Sequence, residues 1–261
     1  MSNILETIAE ATRVRVAEAK KAFPLEDIKA AAYAAPKGDF AFENALAADG
    51  MSFICECKKA SPSKGIIAED FPYVDIAREY EAAGASAISV LTEPQWFKGS
   101  LEYLREIAAE VKIPCLRKDF TVDEYMIYEA KLAGASAVLL ICSILDEATL
   151  KEYITICDEL GLSALVEAHD EDEANMAIRS GARVIGVNNR DLKTFTVDPT
   201  NCLRLRALIP DNILFVGESG VKTAEDIKTL YDNKVDAVLI GESFMRSPDK
   251  VAFLAELKKL I

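Results

Sequence analysis

The chain has 261 residues, of which 51% are hydrophobic and 28% charged, with only 12 Gly and 9 Pro, a composition that excludes a disordered tail or a collagen-like repeat. Its 30 basic and 43 acidic residues leave a formal net charge of −13, which argues against nucleic acid or an anionic membrane as a partner bound through a basic face. The single histidine, His169, rules out a multi-histidine metal site and directs acid–base chemistry to Lys, Glu, Asp or Tyr.

The opening Met-Ser-Asn-Ile-Leu-Glu has no basic region ahead of an apolar core, so no secretory signal is expected. The longest uncharged stretch, Leu132 to Leu145, is too short for a spanning helix. Residues 1–50 do not fit a strand–helix unit and are expected to form two or three extra helices. In the first, Ile4, Leu5, Ile8, Thr12 and Val16 trace an apolar stripe. In a later one, Asp39 is placed to cap a turn carrying Phe42, Ala45 and Leu46. These helices would either cover one end of the following fold or pack beside its substrate mouth.

A recurring phrase organises the rest of the chain: Ala-Gly-Ala-Ser-Ala-Ile-Ser-Val-Leu at 83–91, Ala-Gly-Ala-Ser-Ala-Val-Leu-Leu-Ile at 133–141 and Ser-Gly-Ala-Arg-Val-Ile-Gly-Val-Asn at 180–188. A weaker copy, Lys-Val-Asp-Ala-Val-Leu-Ile-Gly, occupies 234–241. Each follows a segment with helical spacing, such as Ile76/Ala77/Tyr80 or Tyr125/Tyr128/Ala130/Leu132. The glycine would close that helix, and a buried strand would begin. Between the copies lie further apolar runs at Phe53–Cys57, Pro114–Leu116, Ser163–Val166 and Ile213–Val216. Together they make eight strand candidates that alternate with helices, and their continuous apolarity says that both faces are covered. The expected fold is an α/β (β/α)8 barrel, one domain over 1–261, with 1–50 as an N-terminal helical extension. An open doubly wound sheet competes, but neither G-x-G-x-x-G nor a P-loop occurs. Six cysteines without a C-x-x-C pair suggest a reduced, cytoplasmic protein.

In such barrels the functional positions follow each strand, at the C-terminal face. There the chain places Glu56 and Lys58, Lys118-Asp119-Phe120, Glu167, Asn188-Asn189-Arg190, Glu218-Ser219-Gly220 and Gly241-Glu242-Ser243. Glu56 and Lys58 stand two apart and so share a strand face. A lysine beside carboxylates in a cleft can serve as an acid or an anion anchor. Two lysines in one pocket would also lower each other's pKa. The loops after strands seven and eight, with Gly220 and Gly241, suit phosphate held by backbone N–H groups.

These strings resemble a known family. Cys55-Glu56-Cys57-Lys58-Lys59-Ala60-Ser61-Pro62-Ser63 is similar to the first-strand signature of the indole-3-glycerol phosphate synthases, in which Glu-x-Lys-x-x-Ser-Pro-Ser is characteristic. The likeness continues through 89–100, 116–120, Val166-Glu167, 186–192 and 217–220. It implies a lyase that closes the indole ring of 1-(2-carboxyphenylamino)-1-deoxyribulose 5-phosphate with release of CO2 and water, in tryptophan biosynthesis. The resemblance implies Lys118 as general acid on the ketone oxygen, Lys58 on the anthranilate carboxylate with Glu56 orienting it, and Glu167 in dehydration and rearomatisation. Asn188 and Ser219 would position hydroxyls. Glu218 joins the substrate-binding set, and Ser61, Ser219, Gly220, Gly241, Glu242 and Ser243 would surround the phosphate, with Arg190 nearby. Glu242 beside a dianion would have to turn its carboxylate away. Phe97, Phe120 and Leu192 would wall the anthranilate ring. His169 reads as a loop residue outside the site, and the Ser61–Ile66 segment as a mobile lid. No metal and no cofactor is implied, the only ligand being a phosphorylated small molecule. A monomer is expected, with association with other pathway enzymes left open.

Three alternatives share parts of this pattern. Phosphoribosylanthranilate isomerase would share the phosphate loops but has no need of the Lys58/Lys118 pair with Ser61-Pro62-Ser63. A Schiff-base aldolase would use Lys118 covalently. A non-catalytic binding barrel would turn nothing over.

Overall fold

Eight short strands, most of them buried from end to end, close on themselves: β1 Ser52–Cys57, β2 Ala87–Leu91, β3 Cys115–Lys118, β4 Ala137–Ile141, β5 Ser163–Ala168, β6 Val184–Asn188, β7 Leu214–Glu218 and β8 Ala237–Ile240. All neighbours pair in parallel, and β8 returns to β1 through Ser52↔Ala237 to Cys55↔Ile240. The computed structural model describes residues 4–190 and 196–261. Twelve helices lie among them: α1 Ile4–Ala22, α2 Leu25–Ala34, α3 Ala41–Leu46, α4 Tyr73–Ala83, α5 Leu101–Glu110, α6 Tyr125–Leu132, α7 Glu147–Leu160, α8 Glu171–Arg179, α9 Thr200–Arg206, α10 Ala224–Asp232, α11 Glu242–Arg246 and α12 Lys250–Lys258. The expected (β/α)8 barrel is therefore present. Continuous apolarity arises because one strand face fills the barrel while the other packs under helices. No helix among the described residues is long and apolar enough to cross a membrane.

The recurring glycines do what their spacing predicts. Gly84, Gly134 and Gly181 have φ of 91°, 85° and 87° at the ends of α4, α6 and α8, a left-handed conformation that a Cβ disfavours. In the weaker fourth copy the same turn falls on Lys234, at φ 58°.

The period-two strand geometry sorts the side chains. Ile54, Ala87, Leu116, Leu139, Leu165, Val184, Val216 and Leu239 form the inner core. Phe53, Ile88, Val138, Val166, Ile185 and Phe215 belong to the outer layer between sheet and helices. Cys55, Cys57 and Cys115 lie in that outer layer, and all six cysteines are buried free thiols. Leu132, at the end of α6, is exposed rather than part of the buried stripe.

The N-terminal extension serves both ends of the barrel. Leu5, Ile8, Thr12 and Val16 of α1 are buried as expected, and Leu5 and Ile8 line the mouth at the strands' C-terminal end. At the opposite end α3 plugs the barrel with Phe42 and Leu46. There Ser52 Oγ donates to the Ala45 carbonyl, Glu43 N–H donates to Ser163 Oγ, and Arg183 pairs with Glu43. Asp39 does not cap this helix: Phe40 precedes it in a left-handed conformation, with no side-chain cap.

Candidate active site

A cleft of about 570 Å³ opens at the C-terminal ends of the strands. Strand period and register together explain its chemistry. Glu56, Lys118, Glu167, Asn188 and Glu218 take the inward positions after the apolar layers, and all five reach the cleft. The pairings Ile141↔Glu167 and Asn188↔Glu218 show how adjacent strands set such residues at similar heights.

Two charged clusters result. Lys58 Nζ lies 2.5 Å from Glu56 Oε1, so the expected same-face pair is formed. Lys118 Nζ lies 2.6 Å from Glu218 Oε2 and 3.1 Å from Glu167 Oε2. The Lys118 side chain is 12% exposed, and those of Glu167 and Glu218 are 3% and 2%. Gly186 makes room for this arrangement, since a Cβ there would collide with Glu218 Oε1. That oxygen is buried and makes no hydrogen bond among the described residues.

Electrostatics divide the cluster. Burial works against the charge of Lys118, but Glu218, Glu167 and Glu56 outweigh it and raise its pKa above the ordinary lysine value. The expected lowering by a second cation is thus reversed, because three carboxylates act on the Lys118 ammonium. Burial pushes Glu218 up to about 7 against the pull of Lys118, with Glu167 adding repulsion. For Glu167 burial acts in the same direction, yet Lys118 and His169 hold it below the ordinary value. Two buried carboxylates on one ammonium cannot ionise equally, so one is held ionised and the other is poised near neutrality.

The remaining predicted residues surround the same cleft. Ser61 stands in a short hairpin, Ala60–Ser61 with Gly65–Ile66, over the first-strand side. Phe97 and Phe120 form an apolar wall, their ring centroids 6.3 Å apart. Asn188 Oδ1 accepts from the Arg190 N–H at 3.0 Å, and Arg190 lines the opening. The chain leaves β7 through two left-handed residues, Ser219 at φ 68° and Gly220 at φ 91°. Only glycine adopts this freely, so Ser219 carries backbone strain against the cleft. Gly241, Glu242 and Ser243 complete the rim, and Glu242 directs its carboxylate to Arg246 at 3.1 Å. Leu192 lies outside the described residues.

The family model described as indole-3-glycerol phosphate synthase matches residues 5–257. The chain belongs to the indole-3-glycerol phosphate synthase family. It is 58% identical over 256 residues to the Ruminiclostridium cellulolyticum indole-3-glycerol phosphate synthase, covering 98% of each chain. The protein of the same name from Endomicrobium trichonymphae is 52% identical over 256 residues, covering 98% of this chain and 99% of its own. Among solved structures, 3-hexulose-6-phosphate synthase from Salmonella typhimurium aligns with a TM-score of 0.66 at 14% identity, covering 80% of this chain and 98% of its own. That likeness concerns the fold alone.

Relative to the family signature, the structure adds two groups, Glu93 and His169, that sequence reasoning missed, and a partner for a third. Glu218, read as a substrate contact, lines the cleft and is also bonded to Lys118. Glu93, 3% exposed, accepts from the backbone N–H groups of Gln95, Trp96 and Phe97 and so shapes the loop that carries Phe97. His169, read as a loop residue outside the site, places Nε2 3.4 Å from Glu167 Oε1. A buried glutamate just past a strand was the available signal for Glu93. For His169 the signal was its two-residue spacing from Glu167, the same spacing that pairs Glu56 with Lys58.

Proposed function

We propose that this chain converts 1-(2-carboxyphenylamino)-1-deoxyribulose 5-phosphate into indole-3-glycerol phosphate, CO2 and water. The observation that carries this reading is a pair of lysines, Lys58 and Lys118, each held by buried carboxylates, facing one cleft with apolar walls and a strained Ser219-Gly220 turn. An anionic aromatic acid fits one end, and a phosphate fits the backbone-rich other end.

Lys58, oriented by Glu56, anchors the anthranilate carboxylate between Phe97 and Phe120. The phosphate lies among Ser61, Ser219, Gly220, Gly241 and Ser243, with Arg190 nearby; Glu242 contributes backbone only, its carboxylate being engaged by Arg246. Asn188 and Ser219 position the ribulose hydroxyls. The ring carbon bearing the carboxylate attacks the ketone carbon while Lys118 passes a proton to the ketone oxygen. The bond to the carboxylate then breaks, and its electron pair returns to the ring as CO2 leaves. The new hydroxyl departs as water, the adjacent carbon gives up its proton, and Glu167 serves this acid–base step. Preorganised carboxylates stabilise the cationic ring where water could not. Buried free thiols support a reduced cytoplasmic setting, and all the groups named lie on one chain, as a monomer requires.

The test is direct. Purified protein given the carboxyphenylamino substrate should yield a fluorescent indole product. Lys118→Ala should lower kcat by about 10²–10⁴-fold, the contribution of a positioned acid, with the circular dichroism spectrum unchanged. No product from the folded wild type would overturn the assignment, and borohydride trapping at Lys118 would replace it with a covalent mechanism.

A further inference from the structure

The only histidine of the chain sits behind the catalytic cluster with its ring clamped by neighbours. His169 Nδ1 lies 3.1 Å from Glu173 Oε2, and the His169 N–H donates to the same oxygen at 2.8 Å. Ser143 Oγ, in the turn after β4, is 3.3 Å from Nδ1, and Asn201 of α9 donates to the His169 carbonyl at 3.1 Å. On the other edge Nε2 faces Glu167 Oε1 at 3.4 Å; it is buried and makes no hydrogen bond among the described residues.

The ring therefore lies between two carboxylates. A neutral imidazole has one donor and one acceptor nitrogen, so it would turn a lone pair toward one carboxylate oxygen. An imidazolium has two donors and suits both. The charged groups facing it are Glu167 on β5, Glu173 with the capping Asp170 at the start of α8, and Glu218 on β7, with Lys118 beyond Glu167. On α9, Arg204 is bound to Glu171 and Asn201. Burial disfavours the charge of His169, but Glu173, Glu167 and Glu218 raise its pKa above the ordinary value.

We infer that His169, as an imidazolium, is a positioning residue for ring closure: it bridges Glu173 to Glu167 and keeps Glu167 ionised when Lys118 has given its proton to the substrate. This rests on the activity proposed above. Two carboxylates share Lys118, and once that ammonium is neutral they would sit buried with no countercharge. His169 is the second cation, held outside the substrate's reach.

A single histidine means a single set of imidazole NMR signals. In the full-length protein labelled with ¹⁵N-histidine, His169 should titrate above pH 6.5, and its midpoint should fall in both Glu167→Gln and Glu173→Gln. In steady-state kinetics, His169→Asn should lower kcat/KM about tenfold below the midpoint read by NMR, one pKa unit of lost coupling, and approach wild type above that midpoint, where wild-type His169 has itself lost its proton. A midpoint at or below 6.5, or one unmoved by Glu167→Gln, would overturn the assignment, as would a loss in His169→Asn of equal size at every pH. The NMR titrations stand even if His169→Asn does not fold. Absence of product from the folded wild type would remove the parent activity and the role in ring closure with it, whereas an unmoved midpoint in an active enzyme removes the role of His169 alone.

Discussion

Two consecutive residues at the end of β3, Lys118 and Asp119, anchor two ionic clusters of opposite character. Asp119 is saturated: Arg15 of α1 donates to both its oxygens at 2.8 and 2.9 Å, Thr92 Oγ1 at 2.6 Å and the Phe120 N–H at 2.9 Å. Arg117, 3% exposed, lies 3.5 Å away and is itself satisfied by Glu129, Thr92 and the Met126 carbonyl. Burial alone would raise the Asp119 pKa, but Arg117 and Arg15 bring it below the ordinary value. The Lys118 cluster has the reverse balance, with two buried carboxylates on one ammonium, one of them poised at about 7, and an unbonded Glu218 oxygen facing inward. A satisfied cluster fixes structure, and an unsatisfied one stores the protonation difference that catalysis needs. Arg15 also ties α1, whose Leu5 and Ile8 line the mouth, to the residue that follows Lys118.

The division can be broken by mutation. Asp119→Ala should cost about 3–5 kcal/mol, since it leaves buried Arg117 short of a partner and releases Arg15; chemical denaturation measures it. A variant of native stability that is nonetheless inactive would place Asp119 in the catalytic cluster instead. Glu218→Gln should lower kcat by about 10²-fold, yet its thermal stability relative to wild type should improve from pH 5 to pH 8. The sign follows from linkage. A carboxyl group raised to about 7 in the fold holds its proton longer than in the unfolded chain, so its ionisation costs stability as pH rises through that range, and glutamine has no such cost. Melting curves that keep the same offset at both pH values would sink the claim.

Arg15→Ala should have the smallest effect, about 1–2 kcal/mol, because the arginine is 30% exposed and Asp119 keeps Arg117 and Thr92. Here the pH dependence runs the other way. The depressed Asp119 pKa stabilises the fold above about pH 4, the unfolded value, and that contribution is lost as pH falls through the folded value. Arg15→Ala should therefore move the acid-unfolding midpoint to higher pH, and an unmoved midpoint would show that Arg117 alone holds Asp119.

Much of this was legible in the residues. Apolar runs too short for helices, three of them introduced by the recurring glycine that closes the preceding helix, marked the eight strands, and polar residues at the strand ends marked the face that carries the cleft. Even Glu56 and Lys58 could be paired, since a strand brings i and i+2 to one side. Most of the ion pairs that escaped join residues distant in the chain. Arg15 and Asp119 are 104 positions apart, and Lys118 and Glu218 are 100 apart. His169 stands only two residues from Glu167, but its orientation depends on Glu173, Ser143 and Asn201, three separate elements. The direction of the Lys118 shift is not legible in sequence for the same reason, because it depends on which charges the fold brings to the ammonium.

The sequence by itself determined the barrel, its open end and the lysines and glutamates that line it, since hydrophobic period and strand-end residue types are local properties. Tertiary structure alone decided that α1 lines the mouth while α3 plugs the far end, that Lys118 is held by two carboxylates, and that the lone histidine backs one of them. Coulomb and desolvation energies depend on distances and burial that only closure of the barrel creates.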